Sequence, residues 1–135
     1  MRLLWSLVLL VACSSVDTEE ALTPSSPFPA AALASIASGS LRAELRTRPD
    51  QPPLRGPVDA EVRLRDAQGT PAAGRQPWVS AWMPAMGHGN HGEVTAEETG
   101  DGVYLLHGLE LPMPGRWEVL VKVGDEQLAL PVDVQ

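Results

Sequence analysis

A single cysteine, Cys13, occurs in the 135-residue sequence, so no intramolecular disulfide and no multi-thiolate metal site can form within it. Basic residues are scarce, ten against seventeen acidic, for a net charge of −7. That balance argues against nucleic-acid binding, which needs a basic surface to release counterions from phosphates. No apolar run approaches the roughly 20 residues needed to span a hydrocarbon core. A convincing helical periodicity is missing, as are a Gly-x-Ser-x-Gly elbow, an EF-hand loop and any pattern announcing nucleophile, base and orienter. Enzymatic activity is therefore not expected, and the length suits one domain.

The start of the chain carries the most specific signal. Met1-Arg2 forms a short positive region, and Leu3 to Val11 an apolar run of signal-peptide length. The sequence Leu10-Val11-Ala12-Cys13 then ends on cysteine where cleavage is expected, and it resembles a bacterial lipobox. The resemblance implies that residues 1–12 are removed and that Cys13 becomes the first residue. It would carry a thioether-linked diacylglycerol, with a third chain on its amine; two or more chains give stable anchoring where one is marginal. With Cys13 acylated, no thiol is left to act as a nucleophile. Loss of Arg2 leaves nine basic residues against seventeen acidic, a net −8. Ser14 stands where, in known lipoproteins of two-membrane bacteria, Asp favours inner-membrane retention. The expected location is thus the cell envelope, on the outer membrane facing the periplasm if the host has two membranes.

Residues 14–39 include Thr23-Pro24-Ser25-Ser26-Pro27-Phe28-Pro29 and a run of Ala and Ser. Such composition buries too little apolar surface to offset its ordering entropy, and 13–39 is expected to be a lipidated cysteine and tether reaching roughly 30 Å. From Ser40 the pattern changes to period two. Leu41, Ala43 and Leu45 alternate with Arg42, Glu44 and Arg46, and Val62 and Leu64 with Glu61, Arg63 and Arg65. Five further strands are expected near 77–83, 93–98, 103–109, 116–123 and 127–134, separated by clusters of Gly, Pro and Asp. Seven short strands in 40–135 predict an all-β, immunoglobulin-like antiparallel sandwich, with a small closed barrel as the alternative. Trp78 or Trp82, Tyr104 and Trp117, with Val119, Val121 and Val123, are the expected core. Glu97, Glu98 and Asp101, between glycines, read as a solvated hairpin turn.

Between the third and fourth strands lies Met83-Pro84-Ala85-Met86-Gly87-His88-Gly89-Asn90-His91. Thioether with imidazole suits Cu(I), whereas Ca²⁺ and Mg²⁺ prefer oxygen and Zn²⁺ is seldom bound by methionine. In an antiparallel sandwich every second connection falls at the same end, which brings the 84–92 and 110–115 loops together. Met83, Met86, His88, His91 and Met113 are the candidate copper ligands, and His107 could join them. The competing reading makes the methionines core fillers and the glycines and histidines features of a mobile, exposed loop.

The runs Arg65 to Pro71, Met83 to Gly89, Gly102-Val103-Tyr104 and Met113-Pro114-Gly115-Arg116-Trp117-Glu118-Val119 resemble the YtkA-like domain family, over about 40–135. Met83, Met86, His88 and Met113 fall on its motif; His91 and His107 do not. The resemblance implies an exported or membrane-attached β-sandwich, with a suspected link to copper handling and respiratory-oxidase assembly among members and relatives. Two functions follow. One is a lipid-anchored module that binds or delivers copper to an envelope partner; the other is a non-catalytic envelope interaction domain that docks a protein without metal.

Overall fold

The period-two segments pair as antiparallel strands in the computed structural model, which describes residues 26–135. In chain order they are β1 Ala34–Ser38, β2 Leu41–Arg48, β3 Gly56–Pro57, β4 Asp59–Asp66, β5 Trp78–Met83, β6 His88–Gly89, β7 Thr95–Gly100, β8 Val103–His107, β9 Glu110–Leu111, β10 Gly115–Val123 and β11 Glu126–Val134. One sheet has the order β1-β2-β4-β8-β7, the other β11-β10-β5-β6, and β3 with β9 forms a small ribbon. Every pairing is antiparallel. The seven expected strands are β2, β4, β5, β7, β8, β10 and β11, so the sandwich is the architecture and the barrel is not.

The alternation places one face of each sheet in a shared core. Leu45, Leu64, Trp117, Val119, Leu128 and Leu130 are fully buried there. Tyr104 joins them, and its polar tip stays satisfied: the hydroxyl donates to the Ala72 carbonyl at 2.8 Å and accepts from the Arg75 N–H at 3.1 Å. Burial pushes its pKa above the ordinary tyrosine value.

Two expectations are corrected. Trp78 and Trp82 were candidates for the core, yet both are exposed, because Val79, Ala81 and Met83 hold the inner positions of β5. The period was legible but the face was not. The inner positions beside Trp117 are held by Val79, Ala81 and Met83, and the two tryptophans of β5 lie on the outer face.

The second correction concerns the expected tether. Cys13 and residues 14–25 lie outside the described residues, but 26–39 is built onto the sandwich. Phe28 is buried, and the Arg48 guanidinium lies 5.0 Å from its ring centroid. Arg46, itself buried, donates to the carbonyls of Pro29 and Ala30. The Ser26 hydroxyl donates to Glu61 at 3.1 Å, and β1 pairs along β2 from Ala34↔Leu45 to Ser38↔Leu41. Backbone pairing and these polar anchors hold a segment whose composition alone offers little hydrophobic stabilisation.

The strand directions define two ends. At one, Gly39 and Ser40 meet Glu126, whose Oε1 accepts from the Ser40 N–H at 3.0 Å and the Ser40 hydroxyl at 2.7 Å. These two donors hold the carboxyl below the ordinary glutamate value. At the other end, β5 finishes, β10 begins, and the last residue, Gln135, exchanges backbone hydrogen bonds with Pro53 and Arg55.

The Glu126 clasp has a pH signature. A carboxyl whose pKa is lower in the folded chain contributes stability above its unfolded pKa, and that contribution is lost as pH falls through the folded value. Urea unfolding across the acid range should show a shallower acid limb for Glu126→Gln than for wild type, the two curves converging as pH drops below the ordinary glutamate value of 4.5. Parallel curves over that range would contradict the clasp.

Candidate functional site

Met83 ends β5 and is paired across the hairpin with His88 of β6. Antiparallel partners share a sheet face, so His88 lies on the inward side that Met83 occupies. The connection Pro84 to Gly87 is closed by the Met83 carbonyl, which accepts from the N–H groups of Met86 at 3.2 Å and Gly87 at 3.0 Å. Gly87 completes the turn at φ +67°, a left-handed conformation that costs glycine little. Beyond β6, Asn90 extends the pairing with its side chain as well as its backbone. Its Oδ1 accepts from the Ala81 N–H at 2.9 Å, its own N–H donates to the Ala81 carbonyl at 3.2 Å, and its Nδ2 donates to the Gly92 carbonyl. Sequence reasoning gave Asn90 no role; a side-chain amide immediately after a two-residue edge strand was the available signal.

Trp117 forms the other wall. The pairing of Glu118 with Trp82 puts Trp117 beside Met83 on the inner face of the sheet. The His88 ring stands edge-on to the Trp117 ring, at 6.2 Å between centroids and 71° between planes. The indole N–H donates to the Met113 carbonyl at 2.9 Å, tying the 110–115 connection to the same place. The Met113 side chain is half-buried against the core. Gly115, at φ +124°, gives Met83 its room: a Cβ there would lie 2.8 Å from the Met83 methyl carbon.

The two connections thus lie side by side, and Met83, the His88 ring and the Met113 backbone all meet Trp117. Met83 is buried, whereas His88 and Met113 are half-buried at the rim. His88 Nδ1 is buried and has no hydrogen-bond partner. That is an unusual condition for a ring nitrogen, since a buried polar atom left unsatisfied costs on the order of 1–3 kcal/mol.

The remaining candidates separate from this group. Met86 is exposed at the hairpin tip and His91 is exposed beyond β6. His107 does not join them either; its Nε2 lies 2.8 Å from Glu97 on the surface of the other sheet. Among the described residues no three His, Cys, Asp or Glu side chains gather as a metal site. A metal held at this end would therefore depend on methionine sulfur together with the imidazole, a donor set suited to a soft cation.

A family model described as YtkA-like matches residues 37–122, a span that contains Met83, His88, Met113 and Trp117. Neither the curated proteins nor the solved structures include a match.

The packing of Gly115 is directly testable. In Gly115→Ala the added methyl meets Met83 and the backbone angle becomes strained, a combined cost of about 1–3 kcal/mol. The variant should unfold at lower urea concentration, with altered near-ultraviolet circular dichroism from the displaced Trp117. Unchanged stability and spectrum would show that Met83 is not held against this glycine.

Proposed function

The chain belongs to the YtkA-like family, and from that membership and the geometry of its Met/His end we propose a lipid-anchored envelope protein that binds Cu(I) and hands it to a membrane-associated partner. The observation that carries the reading is the partnerless, buried Nδ1 of His88, which is paired with Met83 and packs on the Trp117 ring whose N–H holds the Met113 carbonyl. An imidazole nitrogen that finds no hydrogen bond in the protein is free to use its lone pair on a soft cation. The neighbouring thioethers supply the kind of donor that favours Cu(I) over Zn²⁺ or Ca²⁺.

Each residue has a distinct part. His88 contributes its ring nitrogen. Met83 is the interior thioether, held by the strand, and Met113 is the thioether from the neighbouring connection. Trp117 is the positioning residue: it packs on His88 and fixes the Met113 backbone, which would lower the ordering entropy lost on binding. Met86, exposed on the hairpin tip, is placed to make first contact with incoming copper or with a partner's ligand. His91 is a peripheral donor of the same loop.

Cys13 would hold the module at the membrane through its acyl chains. The carboxylates of this acidic protein contribute a weak, unspecific attraction for cations and do not form the site.

Anaerobic titration of the mature protein with Cu(I) against a chromogenic chelator should show one equivalent bound. The affinity should fall by about tenfold or more in His88→Ala and in Met113→Ala, and by about threefold or less in His91→Ala. Absence of stoichiometric binding, or equal binding by the His88→Ala and Met113→Ala double variant, would defeat the copper reading. Lipidation has its own check. Mass spectrometry of the N-terminal peptide from bacterial membranes should find a diacylglyceryl group on Cys13, and Cys13→Ser should release the protein into the soluble fraction. An unmodified Cys13 would refute the anchor.

A further inference from the structure

The outer face of the β11-β10-β5 sheet carries two of the exposed large apolar side chains, Trp78 and Trp82, and the Met/His end does not use it. On β5 it presents Trp78 and Trp82, which are 57% and 39% exposed, with Ser80 between them. The register sets Lys122 beside Trp78, Leu120 beside Ser80 and Glu118 beside Trp82. On the far side, Ala129 stands next to Leu120 and Pro131 next to Glu118. Beyond the Trp82–Glu118 row, Arg116 and Asp133 close the edge as a bidentate ion pair, at 2.6 and 2.9 Å. This face carries two positive and two negative side chains in a protein whose net charge is −7. A second copy can therefore approach this face without strong repulsion.

The pattern is also self-complementary. Rows Trp78–Lys122 and Trp82–Glu118 lie symmetrically above and below the row Ser80–Leu120–Ala129. A two-fold axis running along that central row, in the plane between two stacked sheets, sets Lys122 against Glu118 of the second copy and Trp78 against its Trp82. Both contacts occur twice, and Leu120 meets Leu120. The other two-fold arrangement, with its axis along the strands, sets Glu118 against Glu118 and Lys122 against Lys122, and is disfavoured by like charge.

We propose that this face is the interface of a homodimer formed by the across-strand two-fold, with sheets packed face to face and the tryptophans as its anchors. The patch offers on the order of 400–500 Å² per subunit, from strand spacing and rise, which is small for a stable dimer. Association should be weak and concentration-dependent in free solution. The axis turns one copy end for end relative to the other, so both Met/His ends stay uncovered, and copper binding and dimerisation are separable.

Sedimentation of the mature, unlipidated chain between about 10 µM and about 1 mM should show the weight-average mass rising from that of one chain toward two. Trp78→Ala with Trp82→Ala should keep it monomeric while far-ultraviolet circular dichroism shows the fold retained. Lys122→Glu alone and Glu118→Lys alone each place like charges in contact and should raise the concentration for half-dimerisation by about tenfold; the two together should restore it. A chain that stays monomeric throughout, or a dimer insensitive to the tryptophan changes, would overturn the proposal. So would a dimer in which the paired charge reversal restores nothing, since the axis would then be wrong.

Discussion

Trp117 is the wedge on which one end of the sandwich is assembled. It is fully buried in the core, yet its N–H reaches the Met113 carbonyl and its ring meets His88. Burying an indole removes on the order of 150–250 Å² from water, but only if the N–H keeps a partner. The Met113 carbonyl meets that requirement, so the same side chain that stabilises the core also sets the path of the 110–115 connection. Gly115 follows from it, because the backbone turning back into β10 must pass the Met83 methyl with no room for a Cβ. A packing constraint in the core has become a positional constraint on three side chains of chemical interest.

The strand content and the sandwich could be read from alternation, since β2, β4 and β10 each set apolar against polar or charged residues. The neighbourhood of the two connections could also be read, because antiparallel order leaves few choices for where successive loops fall. What alternation could not supply was the sense of β5. Trp78-Val79-Ser80-Ala81-Trp82-Met83 has hydrophobic residues on both faces, and Val79, Ala81 and Met83 are the ones that go inward beside Trp117. Ser80, sharing a face with both tryptophans, was the clue that this face meets solvent.

The N-terminal segment was misread for a related reason. Ala, Ser and Pro between 26 and 39 offer little apolar area, and composition measures only that term. The segment is held by backbone pairing to β2 and by Arg46, whose guanidinium serves two carbonyls. A buried arginine needs such acceptors, but a sequence does not say which distant segment supplies them. Likewise, the Met/His cluster was legible as a set of donors and not as a selection. Only the pairing of Met83 with His88, and the placement of Trp117 beside them, separate an inner group from the exposed Met86, His91 and His107.

His88 Nδ1 is buried without a hydrogen-bond partner, and the proposed copper function makes it a ligand in waiting. Its most direct test is nitrogen-15 resonance spectroscopy of the histidine rings, with carbon-13 labelled methionine methyls, before and after one equivalent of Cu(I). His88 Nδ1 should shift as a metal-bound nitrogen together with the Met83 and Met113 methyls, while His107 stays unmoved. A metal-bound shift at His91 or His107 with His88 unchanged, or no shift at any of them, would contradict it.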